Sequence, residues 1–125
     1  MDMPRIRHEI AEAQAQFSNV ELRANLNQTL YVKIALQTSA GNVYTASIAL
    51  DGYPTCLPGV RIDQPTLHSS VPHRYQSGLI CYQHPSVWNP GLHNLTHVIA
   101  RTAKWLNKYE VWRQKGSWPG AELLH

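Results

Sequence analysis

The chain has 125 residues, enough for the core of one domain but not of two, so we predict a single domain over residues 1–125. Its residues are 43% hydrophobic and 15% charged, as is typical of a globular protein, and its net charge of +3 is too small to indicate a nucleic-acid partner. The first residues carry scattered charges and no long apolar run, which is unlike a signal peptide or a membrane span. We therefore expect a cytoplasmic protein that binds no membrane and has free cysteines.

The first half of the chain shows one helical pattern followed by strand patterns. Between residues 5 and 17 apolar side chains recur at helical spacing, and the acidic Glu9 falls outside that face. Runs of β-forming residues separated by turn signals then predict an antiparallel meander, at residues 20–26, 30–38 and 43–50. After two prolines, a short run at residues 60–62 predicts a fourth strand at the sheet edge.

The second half combines a long loop with a long helix. Residues 66–90 have no sustained periodicity but many apolar and aromatic side chains, so we predict a functional loop. Pro90 is then predicted to open a helix over residues 91–114, which Gly116 ends. Its broad apolar face should cover the sheet and consists of Leu92, Leu95, Val98, Ile99, Trp105, Leu106, Tyr109 and Trp112.

Two further features concern the end of the chain. The opposite side of the predicted helix is a narrow basic face that we interpret as solvated, consisting of His97, Arg101, Lys104, Lys108 and Lys115. The tail over residues 116–125 is predicted to form a tight turn from which Trp118 packs back onto the domain.

Motifs around the loop resemble those of ubiquitin-conjugating (UBC-like) enzymes. The short strand is preceded by Tyr53, Pro54 and Pro58, as in the family. Residues 78–81 read Gly-Leu-Ile-Cys, like the Gly-x-Ile-Cys at the family's catalytic cysteine. Residues 88–90 match the family's Trp-x-Pro turn. The resemblance covers essentially the whole chain. It implies an α+β, UBC-like fold: an N-terminal helix, a four-stranded antiparallel meander sheet, an active-site loop and a long covering helix, without the usual C-terminal helices.

One position departs from the eukaryotic pattern. Where those enzymes have His-Pro-Asn, this chain has Val71, Pro72 and His73, so a histidine replaces the asparagine. With "HRYQSGLICY" and the C-terminal tryptophans, this resembles the bacterial branch of the family, which occurs in CBASS anti-phage operons. The resemblance implies transfer of a protein C-terminus, from a cGAS-like nucleotidyltransferase (CD-NTase) or a ubiquitin-like protein, to an amine. It implies no cofactor here, because ATP is used by an upstream activating enzyme, unless the acyl group is captured in another way.

Cys81 is the candidate nucleophile and is predicted to lie on an exposed turn. A cysteine thiolate accepts an acyl group as a thioester, which an amine then attacks. His73 can donate a hydrogen bond to the oxyanion, lower the pKa of the thiol, accept the proton of the amine, or only hold the loop. The predicted lining of the site consists of Tyr75, Gly78, Tyr82, His84 and Trp88.

Other interpretations of these residues stay open. The protein is alternatively a non-catalytic UBC-like binding module in which Cys81 only packs, or a thiol hydrolase in which Cys81 and His73 pass the acyl group to water. A zinc site of His73, Cys81 and His84 would have few ligands and would block the nucleophile, so we predict no metal. Cys56 is interpreted as a structural, packed cysteine.

Overall fold

The computed structural model describes residues 2–120 and has the element order helix, four strands, 3-10 turn and helix. The elements are α1 Met3–Gln16, β1 Val20–Ala24, β2 Leu30–Gln37, β3 Val43–Ala49, β4 Val60–Gln64, the 3-10 turn Pro85–Val87 and α2 Leu95–Lys115. The predicted α+β class is confirmed, and α1 and α2 are the two α-helices of residues 2–120. Over the same residues, no helix has both the length and the hydrophobicity needed to cross a bilayer. The last five residues of the predicted tail turn lie outside the described range.

The four strands form one antiparallel sheet in the order β1-β2-β3-β4, so the predicted meander with β4 at its edge is confirmed. Alternate side chains of the two central strands are buried, as a sheet with one face against the core requires. These buried residues are Val32, Ile34 and Leu36 on β2 and Tyr44, Ala46 and Ile48 on β3. Both helices add side chains to the same core, which places α2 and the loop before it over one face of the sheet.

A buried carboxylate joins the two helices. Glu9 of α1 is only 4% exposed, so the prediction that it lies outside the buried face is wrong. One of its oxygens accepts hydrogen bonds from the Tyr53 hydroxyl and, at 2.8 Å, from the Leu95 backbone N–H, and Arg5 Nε donates to the other oxygen. Because the Leu95 N–H belongs to the first turn of α2, the carboxylate also faces the positive end of that helix.

The start of α2 lies later than predicted. Asn94 is the N-cap, since its side-chain oxygen accepts a hydrogen bond of 2.9 Å from the His97 N–H, and the helix begins at Leu95. The prediction that Pro90 opens the helix is therefore wrong, and Leu92, predicted on the apolar face, is 79% exposed. Arg5 Nη2 instead holds the turn before the helix by donating to the Pro90 and His93 carbonyl oxygens at 2.7 and 3.0 Å.

Candidate active site

The segment before Cys81 is an ordered hairpin docked on the sheet edge. Arg74 and Ile80 form an antiparallel bridge, and the Tyr75 N–H donates to the Leu79 carbonyl oxygen at 2.9 Å. The Ile80 N–H donates to the Val60 carbonyl oxygen, also at 2.9 Å, which ties the hairpin to β4. Residues 66–90 are thus largely irregular, as predicted, and within them this short hairpin places Cys81 next to the edge strand β4.

Gly78 is required by the geometry of this hairpin. Its φ is +93°, in the left-handed region that favours glycine. An added Cβ would lie 2.4 Å from Nη1 of Arg61, whose Nη2 donates to the Ser77 carbonyl oxygen at 3.0 Å. Gly78 therefore allows both the turn and the close approach of the Arg61 guanidinium.

The backbone brings the two predicted catalytic residues together. The Cys81 N–H donates to the His73 carbonyl oxygen at 2.7 Å, and the same oxygen accepts a hydrogen bond of 3.2 Å from Trp105 Nε1 on α2. His73 has a φ of 56°, which is uncommon for a residue with a side chain. The His73 ring lies 4.9 Å from the ring of Trp118, centroid to centroid, so the predicted return of Trp118 onto the domain is confirmed.

Cys81 lies in a buried position, with 7% of its surface exposed, so the prediction of an exposed turn is wrong. Burial raises the pKa of its thiol, and a hydrogen bond from the Tyr75 hydroxyl partly opposes that rise. Tyr75 itself is 38% exposed. The resting cysteine is therefore a neutral thiol near neutral pH, with one hydroxyl donor positioned to stabilise a thiolate.

Three of the predicted lining residues have local structural partners. The buried Tyr82 hydroxyl donates to the Pro58 carbonyl oxygen at 2.6 Å, and burial raises its pKa. His84 caps the 3-10 turn, since its Nδ1 accepts a hydrogen bond of 3.2 Å from the Ser86 N–H. Trp88 Nε1 donates to the Pro54 carbonyl oxygen at 2.8 Å. Contact of these side chains with a substrate stays a prediction.

A polar pair that the sequence did not indicate lies beside the site. Gln83 is 4% exposed, and its Oε1 lies 2.6 Å from His97 Nε2. Burial, aided by His93 and Arg101, lowers the pKa of His97, which favours the neutral imidazole. The helical pattern placed His97 on a solvated face, and nothing in the local sequence marks Gln83 as its partner.

The other cysteine is not packed. Cys56 is a free, exposed thiol, so its interpretation as a packed structural residue is wrong. Its backbone N–H closes a turn by donating to the Gly52 carbonyl oxygen at 2.8 Å. Across residues 2–120, no group of three or more His, Cys, Asp or Glu side chains is arranged to hold a metal ion.

Comparison with known proteins identifies the family. A family model described as Type II CBASS E2 protein matches residues 9–125, which include the sheet, the hairpin with Cys81 and all of α2. No curated protein matches the chain. The family match covers most of the chain and agrees with the α+β architecture and with the resemblance seen in the motifs. The chain therefore belongs to the Type II CBASS E2 protein family and has an E2-like role in CBASS defence.

Proposed function

We propose that this protein carries the C-terminal carboxyl group of a partner protein as a thioester on Cys81 and passes it to a lysine amine. The observation that carries the proposal is the hydrogen bond from the Cys81 N–H to the His73 carbonyl oxygen, in a chain that belongs to an E2 family. This hydrogen bond holds the backbone segments that carry the thiol and the imidazole next to each other. The Tyr75 hydroxyl is the third polar group at this point.

The chemistry consists of two acyl transfers. In the first, Cys81 Sγ attacks an activated carboxyl group, a C–S bond forms, and the activating group leaves while the thiol proton passes to solvent or a base. In the second, an amine attacks the thioester, a C–N bond forms, the C–S bond breaks, and the amine proton ends on a base while sulfur becomes a thiol again. Because burial keeps the thiol neutral, its proton must be lost as it attacks, and the Tyr75 hydroxyl stabilises the charge on sulfur.

His73 acts in the second transfer. Its imidazole either accepts the proton of the attacking amine or donates a hydrogen bond to the oxyanion. His73→Asn separates these roles, because an amide donates a hydrogen bond but does not accept a proton at neutral pH. If His73→Asn transfers the acyl group at the wild-type rate, His73 is an oxyanion donor. If His73→Asn loses about a hundredfold in transfer rate, as much as His73→Ala, His73 is a base.

The carried protein is a cGAS-like nucleotidyltransferase or a ubiquitin-like protein, and an upstream activating enzyme supplies the energy of the thioester. The family match and the motifs around Cys81 support this proposal. The protein works in the cytoplasm, where a reducing environment keeps the Cys81 thiol available.

Coexpression with the neighbouring genes of the operon tests the proposal. Wild-type protein should yield an isopeptide-linked conjugate, Cys81→Ala should yield none, and Cys56→Ala, which removes the exposed thiol, should yield the wild-type amount. Conjugate formation by Cys81→Ala would contradict the proposal. Release of a free acid without conjugate would indicate a thiol hydrolase, and partner binding without any product would indicate a binding module.

A further inference from the structure

The tail after α2 returns to the candidate active site. Gly116 ends the helix with a φ of 79°, and its N–H donates to the Trp112 carbonyl oxygen at 2.8 Å. This left-handed cap reverses the chain direction, as glycine does at helix ends. The reversal allows Trp118, two residues later, to pack on the core beside His73.

Two tryptophans hold His73 at different points. Trp105, which is 3% exposed, binds the His73 carbonyl oxygen through its Nε1, and Trp118 contacts the His73 ring at 4.9 Å with an interplanar angle of 50°. The two tryptophans also contact each other, with ring centroids 5.3 Å apart. Trp105 therefore holds the backbone of His73, Trp118 contacts its ring, and the two tryptophans support each other.

The backbone hydrogen bonds fix the point of attachment of the imidazole, and the Trp118 contact acts on the ring itself. The carbonyl contacts set the position of the His73 Cα, but rotation about the side-chain bonds still moves the ring nitrogens by more than a hydrogen-bond length. The contact with Trp118, whose ring is tilted by 50° to the imidazole, limits that rotation, and misplacement of a reacting group by about 1 Å can cost about a hundredfold in rate.

We propose that Trp118 is a positioning residue that holds the His73 imidazole in the orientation required for transfer from Cys81. The inference rests on the proposed function. It gives the tail after α2, whose residues 116–120 belong to no helix or strand, a role in orienting the His73 ring.

The test is single-turnover discharge of the Cys81 thioester to free lysine. Trp118→Ala and Trp118→Leu, which keeps apolar volume, should both slow discharge about tenfold or more, and Trp118→Phe should stay within about twofold of wild type. The matched control is Trp112→Ala, since Trp112 is also partly buried but packs on Tyr109 and His68. This control should discharge at the wild-type rate.

A role in positioning also predicts non-additivity. In the His73→Ala background, Trp118→Leu should slow discharge no further, because the ring that it positions is gone. A further slowing by the same factor would overturn the inference, as would an equal effect of Trp112→Ala.

A second readout does not need the thioester. The NMR ring-proton signals of His73, assigned by their loss in His73→Asn, should be displaced by the Trp118 ring current in wild type and return to ordinary positions in Trp118→Leu. Signals that are unaffected by Trp118→Leu would overturn the inference. Wild-type protein that shows the displaced His73 signals but forms no thioester would contradict the proposed function. The contact between Trp118 and His73 would then exist without a role in transfer, which also overturns the inference.

Discussion

Cys81 is the proposed acyl carrier, and its thiol is not ionised at rest. Burial is the larger influence on its pKa, and the Tyr75 hydroxyl opposes it. A carrier cysteine has no need of a permanent thiolate, because it reacts only after an activated donor is bound. The raised pKa therefore limits reaction with unrelated electrophiles.

Alkylation by iodoacetamide tests the state of this thiol. Below the thiol pKa the thiolate fraction grows about tenfold per pH unit, so the alkylation rate of Cys81 should rise steadily from about pH 7 to about pH 9. The exposed Cys56 should react faster at about pH 7, and peptide mass spectrometry distinguishes the two sites. A rate for Cys81 that is already maximal at about pH 7 would show a preformed thiolate and contradict this account.

The Tyr75 hydroxyl should accelerate the same reaction. Tyr75→Phe removes the hydrogen bond that lowers the Cys81 pKa, so alkylation at about pH 8 should slow roughly two- to fivefold. Tyr31→Phe, on β2, removes a hydroxyl elsewhere and serves as the control. Equal rates for Tyr75→Phe and wild type would show that the hydroxyl does not support the thiolate.

At the scale of elements, Glu9 fixes α2 relative to α1. The carboxylate binds the first turn of α2, and Arg5 binds the turn before it, so the helix that carries Trp105 is anchored at its N-terminus. A buried charge is tolerated here because each oxygen has a hydrogen-bond donor.

Removal of this carboxylate should be costly. Glu9→Ala leaves the Tyr53 hydroxyl and Arg5 Nε without their acceptor, and we expect the free energy of unfolding to fall by about 3–5 kcal/mol. Urea denaturation measures the change. The control is Glu12→Ala on the same helix, where the side chain is exposed and pairs with the exposed His8, and a change of less than about 0.5 kcal/mol is expected. Equal effects of the two variants would contradict the anchoring role of Glu9.

Elements whose signals are local were predictable from the sequence. The β-forming runs and the turn signals between them predicted the order of the strands, and Gly116 marked the end of α2 correctly. The start of α2 was misplaced because a proline and a capping asparagine are both helix-start signals, four residues apart. Arg5 selects the later start by binding carbonyl oxygens before it, and that long-range contact is invisible in the local pattern.

The candidate site also has one part that the sequence predicted and one part that it did not. Cys81 and His73 were found through their motifs, and their backbone contact is consistent with that prediction. The burial of Cys81 and the contact between Trp118 and His73 were not predictable, because both depend on how the hairpin and the tail pack against α2.

For the whole molecule, the basic charge is concentrated on α2. The helix holds five of the eleven lysines and arginines, at Arg101, Lys104, Lys108, Arg113 and Lys115. Burial lowers the pKa of Lys108, and the nearby Lys104 and Arg101 lower it further. Within residues 2–120, none of these three side chains forms an ion pair. Lys104 and Lys115 are exposed as predicted, but His97, Arg101 and Lys108 are half-buried, so the interpretation of the whole basic face as solvated is wrong for those three.

Neutralising this face should not weaken the fold. Lys104→Gln removes a charge that repels Lys108, so the free energy of unfolding near neutral pH should stay within about 0.5 kcal/mol of wild type or rise slightly. A lowered lysine pKa means that the charged form is disfavoured in the folded state, so this small gain should vanish as the pH rises above the ordinary lysine pKa. Loss of more than about 1 kcal/mol would show that Lys104 makes a stabilising contact.

An acyl group on Cys81 would be visible in the intact mass of the protein under non-reducing conditions. Wild-type protein and Cys81→Ser should each be purified with the products of the neighbouring operon genes. We expect a wild-type adduct that a thiol reagent removes, and the same added mass as a thiol-resistant ester on Cys81→Ser. Its mass would identify the carried protein. Absence of an adduct on both forms while a partner still copurifies, or an adduct located on Cys56, would contradict the account.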